Sequence, residues 1–246
     1  MINFKEKSIL GMIHLSGVSN GSGWEDVNPV ERAIDEIEIY QTSGLQGVIV
    51  ENYHSGVDDV IETLIKIKRL KETGVINKEL SIGINILPND FKQAFDLASQ
   101  YGDFIQLDFV SGKYSRAQEI DEEEYKEYRQ KYPNIQVLGG VWPKYYVPVR
   151  ESSLEADLKV AMTRCDAIVV TGSGTGQETP LDKIKMFRDI IGNFPLIIGA
   201  GMTSDNAKSQ LVYANGAIVG SAFKQFNNTN NQVSKDLVNK FMSNVI

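Results

Sequence analysis

Short apolar segments and longer amphipathic segments alternate along the whole chain of 246 residues. The apolar segments are rich in Ile, Val and Leu, as expected for β-strands that are buried on both faces. They cover residues 8–14, 46–51, 80–85, 104–109, 135–141, 167–171, 196–199 and 217–220. Segments with helical spacing follow them, at residues 30–42, 57–72, 90–100, 122–131, 154–164, 181–191, 204–213 and 234–244. This alternation predicts a parallel sheet, because parallel strands need crossover connections.

Eight such strand–helix units are the number that closes a (β/α)8 TIM barrel, and the chain has the length of one barrel. The sequence has no Pro-rich or Ser-rich linker and no shift in composition that would mark a second domain. We therefore expect residues 1–246 to form a single α/β barrel domain. A doubly wound open sheet is the structural alternative, although it usually has fewer strands.

The composition favours a cytoplasmic protein. Its formal net charge of −7 argues against nucleic acid or an anionic membrane surface as the main partner. Cys165 is the single cysteine, which excludes an intrachain disulfide and favours a reducing compartment. The apolar segments are shorter than the roughly 20 residues that span a bilayer, and the N-terminus lacks the apolar region of a signal peptide. Apolar residues on the helix faces are compatible with a homo-oligomer.

Titratable residues stand at the carboxyl ends of the predicted strands, where barrel enzymes collect their reactive side chains. Glu51 follows four apolar or glycine residues of the second strand, and partial desolvation would raise its pKa toward the range useful for proton transfer. We expect Glu51 to be an acid or base; a structural salt bridge is the alternative. His14, at the end of the first strand, is a second proton-transfer candidate or a hydrogen-bonded core residue.

Asp108 ends the fourth strand, and Lys144 follows the fifth. Asp108 has the chemistry to orient a histidine or hold a sugar hydroxyl, and a capping or pairing role within the barrel is equally open. Lys144 has the chemistry to bind an anion or to act as a base or Schiff-base nucleophile, whereas an exposed loop lysine is the alternative. The sequence contains no motif with metal-ligand spacing and implies no cofactor. A metal site formed across strands by His14, Glu51 and Asp108 is an open alternative.

Four further polar residues at the strand ends are expected to bind substrate. Amide and hydroxyl side chains donate and accept hydrogen bonds but are poor at proton transfer, so they suit the positioning of hydroxyl or carbonyl groups. These residues are Asn52, Asn85, Thr171 and Ser173.

Two glycine-rich segments, Pro195–Thr203 and Gly216–Ala222, end the seventh and eighth strands. The loops after these strands commonly bind phosphate in (β/α)8 barrels. Glycine lets the backbone approach an anion closely, and Thr203 or Ser204 would cap the next helix and direct free N–H groups toward it. We predict a phosphorylated small molecule as ligand, with turn geometry alone as the alternative. The predicted phosphate-binding residues are Gly199, Gly201, Met202, Thr203, Gly220 and Ser221.

Two long loops follow strand ends, at residues 16–28 and 110–121. The first contains Gly17, Gly21 and Gly23, which would let it move as a lid, and Trp24 would anchor it. An ordinary surface loop is the alternative.

Six segments together resemble the BtpA/SgcQ family, in the same order and over nearly the whole chain. The resemblance implies a TIM barrel of the ribulose-phosphate-binding type. One member of that family is linked to photosystem I biogenesis, and another belongs to a sugar-utilisation operon. The segments are Gly11–Leu15, Gly47–Asn52, Gly83–Asp90, Ala167–Gly176, Gly199–Asn206 and Gly216–Lys224.

The chain departs from the family pattern in two places. After the first histidine it reads Ser16–Gly21, where the family tends to carry a Pro-Leu-Pro-Gly stretch. At the fifth strand the family pattern leads us to expect an Asp near Gly140 and a His after the lysine; here Lys144 is kept and Tyr145 follows it.

Two functions are therefore open. The first is an enzyme that acts on a sugar phosphate or a nucleotide-like phosphate, as an isomerase, epimerase, lyase or glycosidic-bond-cleaving enzyme. The second is a non-catalytic protein that binds a phosphorylated metabolite or assists the assembly of another complex. Phosphoribosylanthranilate isomerase activity is disfavoured, because such enzymes carry Cys and Asp at strands one and five, where this chain has His14 and Gly140–Val141.

Overall fold

A computed structural model describes residues 1–16 and 28–245 of the chain. Eight parallel strands close into a barrel, in which each strand pairs with its neighbours in the chain and the last pairs with the first. This closure confirms the predicted TIM barrel over the open sheet. The strands are β1 (Ser8–Ser16), β2 (Gly47–His54), β3 (Ser81–Asn85), β4 (Phe104–Leu107), β5 (Gln136–Gly140), β6 (Ala167–Val170), β7 (Leu196–Ile198) and β8 (Gly216–Val219).

Helices follow the strands in strict alternation. Polar side chains cap several of them: Asn28 accepts hydrogen bonds from Val30 N and Glu31 N, and Asp121 accepts one from Glu124 N. Such caps satisfy backbone N–H groups that have no partner inside the helix. The helices are α1 (Pro29–Thr42), α2 (Val57–Thr73), α3 (Phe91–Tyr101), α4 (Glu122–Lys131), α5 (Leu154–Arg164), α6 (Leu181–Ile191), α7 (Ala207–Gln210) and α8 (Lys235–Val245).

The strands separate two apolar cores, because successive side chains of a strand point to opposite faces. One core lies between the strands and the helices and includes Ile9, Ile13 and Val48. The other fills the barrel and includes Leu10, Met12, Ile49, Phe104, Leu138, Val169, Ile197 and Ile218. Inward residues that follow these positions on each strand reach the carboxyl end of the barrel. The alternation therefore decides which polar residues meet there.

Two very short strands, Tyr114–Ser115 and Val147–Pro148, pair in antiparallel fashion. They join the loops that follow β4 and β5. Two-residue strands have no periodicity to detect, which is why the sequence did not predict them. The predicted loop 110–121 is thus tied to the loop that carries Lys144. Most of the predicted lid at residues 16–28, including Trp24, lies outside the described residues.

The helix predicted at 204–213 is too long. Only Ala207–Gln210 are helical, and their N-cap is Asn206. Thr203 and Ser204 are therefore not its N-cap, although Thr203 accepts hydrogen bonds from Asp205 N at its hydroxyl and from Ala207 N at its carbonyl, one turn before the helix. The Thr203 N–H donates to Asn206 Oδ1 at 2.8 Å. An anion at this loop would therefore depend on individual backbone N–H groups, not on the end of a long helix.

Gly83 provides a test of the barrel packing. It pairs with Phe104 in the β3–β4 ladder, and a Cβ on Gly83 would lie 2.2 Å from the buried Phe104 ring. We expect Gly83→Ala to lower the free energy of unfolding by about 2 kcal/mol through overpacking. In a Phe104→Leu background, Gly83→Ala should lower the free energy of unfolding by clearly less, because the ring that the new Cβ meets is absent. Urea denaturation measures both; an equal cost in the two backgrounds would contradict the packing argument.

Candidate active site

His14, Glu51 and Asn85 form one layer at the carboxyl end of the barrel. His14 is paired with Glu51 in the β1–β2 ladder, and Glu51 with Asn85 in the β2–β3 ladder. All three are buried and line a cavity at this end. The common register thus brings an imidazole, a carboxyl and an amide from three consecutive strands to one wall.

Glu51 is a buried carboxyl whose pKa is raised to about 8. Burial is the main cause, because desolvation disfavours the charged form, and the Asp108 carboxylate raises the pKa further. Lys144 and Lys224 oppose the shift but do not overcome it. At neutral pH Glu51 is therefore mostly protonated and able to donate a hydrogen bond or a proton.

Asp108 lines the same cavity. Burial raises its pKa as well, whereas a hydrogen bond from Tyr146 and the charge of Lys144 lower it. The Tyr146 hydroxyl lies 3.1 Å from Asp108 Oδ2. The net effect is an upward shift of the Asp108 pKa. The cavity thus holds two carboxyls, Glu51 and Asp108, whose pKa values are both raised by burial.

His14 is a buried imidazole whose pKa lies well below its usual value. Burial is the first cause, and the positive charges of Lys224, Lys144, Arg32 and His54 add to it. The Tyr53 ring packs edge-on at 4.8 Å between centroids. Nδ1 of His14 makes no hydrogen bond to any described residue. A neutral histidine with an open nitrogen suits a hydrogen bond to a ligand.

Asn85 and Gln106 form an amide pair. Asn85 Nδ2 donates to Gln106 Oε1 at 2.8 Å, so the Asn85 carbonyl oxygen faces the other way. That oxygen, Asn85 Oδ1, is buried and has no partner among the described residues. It is an acceptor that a ligand hydroxyl would satisfy. Gln106 was missed by the sequence analysis, although its position between inward-facing Phe104 and Asp108 marks it as an inward residue.

Lys144 reaches the cavity from the loop after β5. Its N–H donates to Thr171 Oγ1 at 2.7 Å, and its Nζ donates to Thr175 Oγ1 at 3.0 Å. Lys183 Nζ donates to the carbonyls of Trp142 and Thr171 at 3.0 and 2.8 Å. These bonds tie the loops after β5 and β6 together. Thr171 therefore positions Lys144 as well as lining the cavity.

The two glycine-rich loops, together with Gly176, form a second wall of the cavity that begins beside His14. Gly201 has φ +66°, and a Cβ there would lie 2.0 Å from Gln177 O, so only glycine fits. A Cβ on Gly220 would lie 2.8 Å from His14 Cε1. The backbone N–H groups of Met202, Ser221 and Ala222 donate to no described residue. This wall therefore offers hydrogen-bond donors to an anion.

The structure brings most of the predicted site residues to this one cavity. They are Glu51, His14, Asp108, Lys144, Asn85, Thr171, Gly199, Gly201, Met202, Gly220 and Ser221. Asn52, Ser173 and Thr203 do not line it.

The three residues outside the cavity have other partners. Asn52 follows inward-facing Glu51 by one position and so points outward, where its side chain bonds Leu87 N and O. The exposed Ser173 hydroxyl donates to Gln177 Oε1. The Thr203 hydroxyl accepts a hydrogen bond from Asp205 N at 3.3 Å.

Within residues 1–16 and 28–245, no group of three His, Cys, Asp or Glu side chains is placed to hold a metal ion. No helix in the described part of the chain is long and apolar enough to cross a membrane.

The fold defines a TIM-barrel protein, with a cavity at the carboxyl ends of its strands. Residues 5–246 match the model of the BtpA family, and the chain belongs to that family. It is 32% identical to an uncharacterised protein of Pyrococcus abyssi, covering 93% of this chain and 92% of that protein. It is 27% identical to the photosystem I biogenesis protein BtpA of Synechocystis, covering 95% and 86% of the two chains.

Solved structures with the same fold share little sequence with this chain. Thiamine phosphate pyrophosphorylase from Pyrococcus furiosus aligns with a TM-score of 0.63 and 11% identity, over 98% of this chain and 96% of the other. Phosphoribosyl anthranilate isomerase from Thermus thermophilus aligns with a TM-score of 0.62 and 9% identity, over 97% and 98%. Identities this low show the fold alone.

The raised pKa of Glu51 predicts a pH-dependent stability. Between its unfolded value near 4.5 and its folded value of about 8, the native state binds a proton that the unfolded chain releases. The free energy of unfolding should therefore fall as pH rises through this window, by about 1 kcal/mol per pH unit from this group. We expect Glu51→Gln to make the free energy of unfolding less dependent on pH. Urea denaturation at a series of pH values from 5 to 8 measures this dependence.

The matched control for this experiment is Glu62→Gln, which changes an exposed carboxylate on α2. It should leave the pH dependence of the free energy of unfolding unchanged. If the free energy of unfolding of Glu51→Gln depends on pH as it does in the unmodified protein, the raised pKa of Glu51 is contradicted.

Proposed function

We propose that this protein binds a phosphorylated sugar or sugar-like compound and catalyses a proton transfer on it, in a reaction of the isomerase, epimerase or lyase type. The observation that carries the proposal is one cavity with N–H-rich glycine loops on one wall and a coupled carboxyl pair on the other. The two fold neighbours named above carry phosphorylated compounds in their names, which supports this class of ligand.

The glycine wall supports the phosphate part of the proposal. Backbone N–H groups of Met202, Ser221 and Ala222 have no acceptor among the described residues, and a phosphate monoester supplies several acceptor oxygens. Lys144 adds a positive charge at the cavity. Phosphate held here would extend the rest of the ligand toward His14 and Glu51.

The carboxyl wall supports the proton-transfer part. Protonated Glu51 would donate to a carbonyl or hydroxyl oxygen of the ligand, and the Asp108 carboxylate would accept a proton from carbon or oxygen. Asn85 Oδ1 and His14 Nδ1, both buried without described partners, would hold ligand hydroxyl groups. This donor and acceptor set fits a polyhydroxylated compound better than an apolar one.

The proposal also includes the cellular location of the protein. Cys165, the single cysteine, is buried, and burial raises the pKa of its thiol. An unreactive buried thiol fits a reducing compartment, and the location proposed here is the cytoplasm.

Phosphate binding provides the first test. Inorganic phosphate and phosphorylated sugars should raise the melting temperature of the protein. Ser221→Asp should abolish this increase, because a carboxylate at the glycine wall repels the ligand. Ser99→Asp, on the exposed face of α3, is the matched control and should keep it. If no phosphorylated compound raises the melting temperature of the unmodified protein, the anion site is refuted.

Turnover provides the second test. We expect incubation with a panel of sugar phosphates in deuterated water, followed by NMR, to show exchange or conversion of at least one compound. Glu51→Gln and Asp108→Asn should each reduce the rate at least 100-fold while phosphate still raises the melting temperature. Binding without turnover across the panel would favour the second function, a non-catalytic phosphometabolite-binding or assembly protein.

A further inference from the structure

Lys224 is fully buried, although it lies in the loop after β8 and only three residues beyond Ser221. Its backbone N–H donates to Ser221 O at 2.9 Å and closes the short helical turn Ser221–Phe223. A lysine in a surface loop normally keeps its ammonium group in water. Here the side chain points into the protein, behind the turn that lines the cavity.

The partner of Lys224 is Glu36 on α1, which is 1% exposed. Lys224 Nζ lies 3.5 Å from Glu36 Oε1, and the same oxygen accepts a hydrogen bond from Arg32 Nε at 3.2 Å. Burying charges away from water is costly, and such pairs often add nothing to stability. A role outside stability would account for a charged cluster at this position.

Lys224 acts on the cavity although it does not line it. Its charge is the largest electrostatic contribution that lowers the pKa of His14, and it also lowers the pKa of Glu51. His14 lies against the start of the turn that Lys224 closes, since a Cβ built on Gly220 would lie 2.8 Å from His14 Cε1. In a low-dielectric interior a charge acts over a longer distance than it does in water.

We propose that Lys224 is the buried cation of the anion site and that Glu36 is the counter-charge that limits its strength. The proposal rests on the phosphate site proposed above. The buried positive charge of Lys224, whose backbone N–H closes the turn, attracts a phosphate monoester to the N–H groups of Ser221 and Ala222. Lys224 is a positioning residue, because it acts through the turn and not by contact.

The two charges predict opposite effects on the binding of inorganic phosphate. Lys224→Met should weaken binding about tenfold, as measured by isothermal titration calorimetry at pH 7.5. Burial lowers the pKa of Lys224 and Glu36 raises it, so the Glu36→Gln titration is also run at pH 6, where Lys224 stays protonated. There Glu36→Gln should strengthen binding by about threefold relative to the unmodified protein at the same pH, because it removes the opposing charge. Structural damage would weaken binding in both variants. Weaker binding in both, or unchanged binding in both, would therefore overturn the proposal.

Three further variants keep the experiment decisive. Lys224→Arg keeps the charge and should bind phosphate within about twofold of the unmodified protein. Lys224→Met/Glu36→Gln removes both charges; if Lys224→Met alone does not fold, this variant replaces it and should bind more weakly than Glu36→Gln. Lys7→Met is the matched control, because Lys7 bonds Leu211 O and Ala214 O at the other end of the barrel.

The experiment separates the two proposals. If the unmodified protein does not bind phosphate, the proposed function fails and this inference fails with it. If the unmodified protein binds phosphate and Ser221→Asp abolishes binding, but the Lys224 and Glu36 variants behave alike, only the inference about Lys224 fails. NMR titration of His14 adds an independent readout, since Lys224→Met should raise its pKa.

Discussion

The alternation of side chains along closed, parallel strands is the constraint on which this protein depends. Inward residues fill the barrel with Leu, Ile, Val and Phe, and the next inward positions deliver His14, Glu51, Asn85 and Asp108 to one cavity. A shift of one residue along a strand would move a side chain from the cavity to the helix side. The position of Asn52, next to Glu51 but outside the cavity, illustrates how strict this rule is.

The same closure determines the electrostatics of the site. The barrel wall and the surrounding loops remove water from Glu51, Asp108 and His14, so burial is the first cause of each pKa shift. Both carboxyls move toward their protonated forms, and the imidazole moves toward its neutral form. The cations near them, Lys144 and Lys224, reduce the shift of Glu51 and increase the shift of His14. The cavity thus combines carboxyl and imidazole groups of low net charge with the positive charges of Lys144 and Lys224 nearby. This combination suits an anionic, hydroxylated ligand.

Family and fold answer different questions about this chain. The match to the BtpA family covers almost the whole sequence. The two enzymes of known structure named above have the same barrel fold but are only 11% and 9% identical to this chain. The same barrel supports unrelated reactions, because the loops and strand ends vary independently of the framework. At the end of β5 this chain has Gly140, where a Cβ would lie 1.8 Å from Asp108 O. A side chain cannot enter the cavity from that position, so β5 contributes through Lys144 in its loop instead.

The sequence alone was enough to predict the eight-unit barrel and most of the cavity, because two-residue alternation, strand ends and glycine turns are local patterns. Glu51, His14, Asp108 and the two glycine loops follow from them. Tertiary structure alone decided the burial of Lys224 against Glu36 and the Asn85–Gln106 pair. It also decided the pairing of Tyr114–Ser115 with Val147–Pro148. Each of these depends on contacts between residues far apart in the chain, and local periodicity carries no information about such contacts.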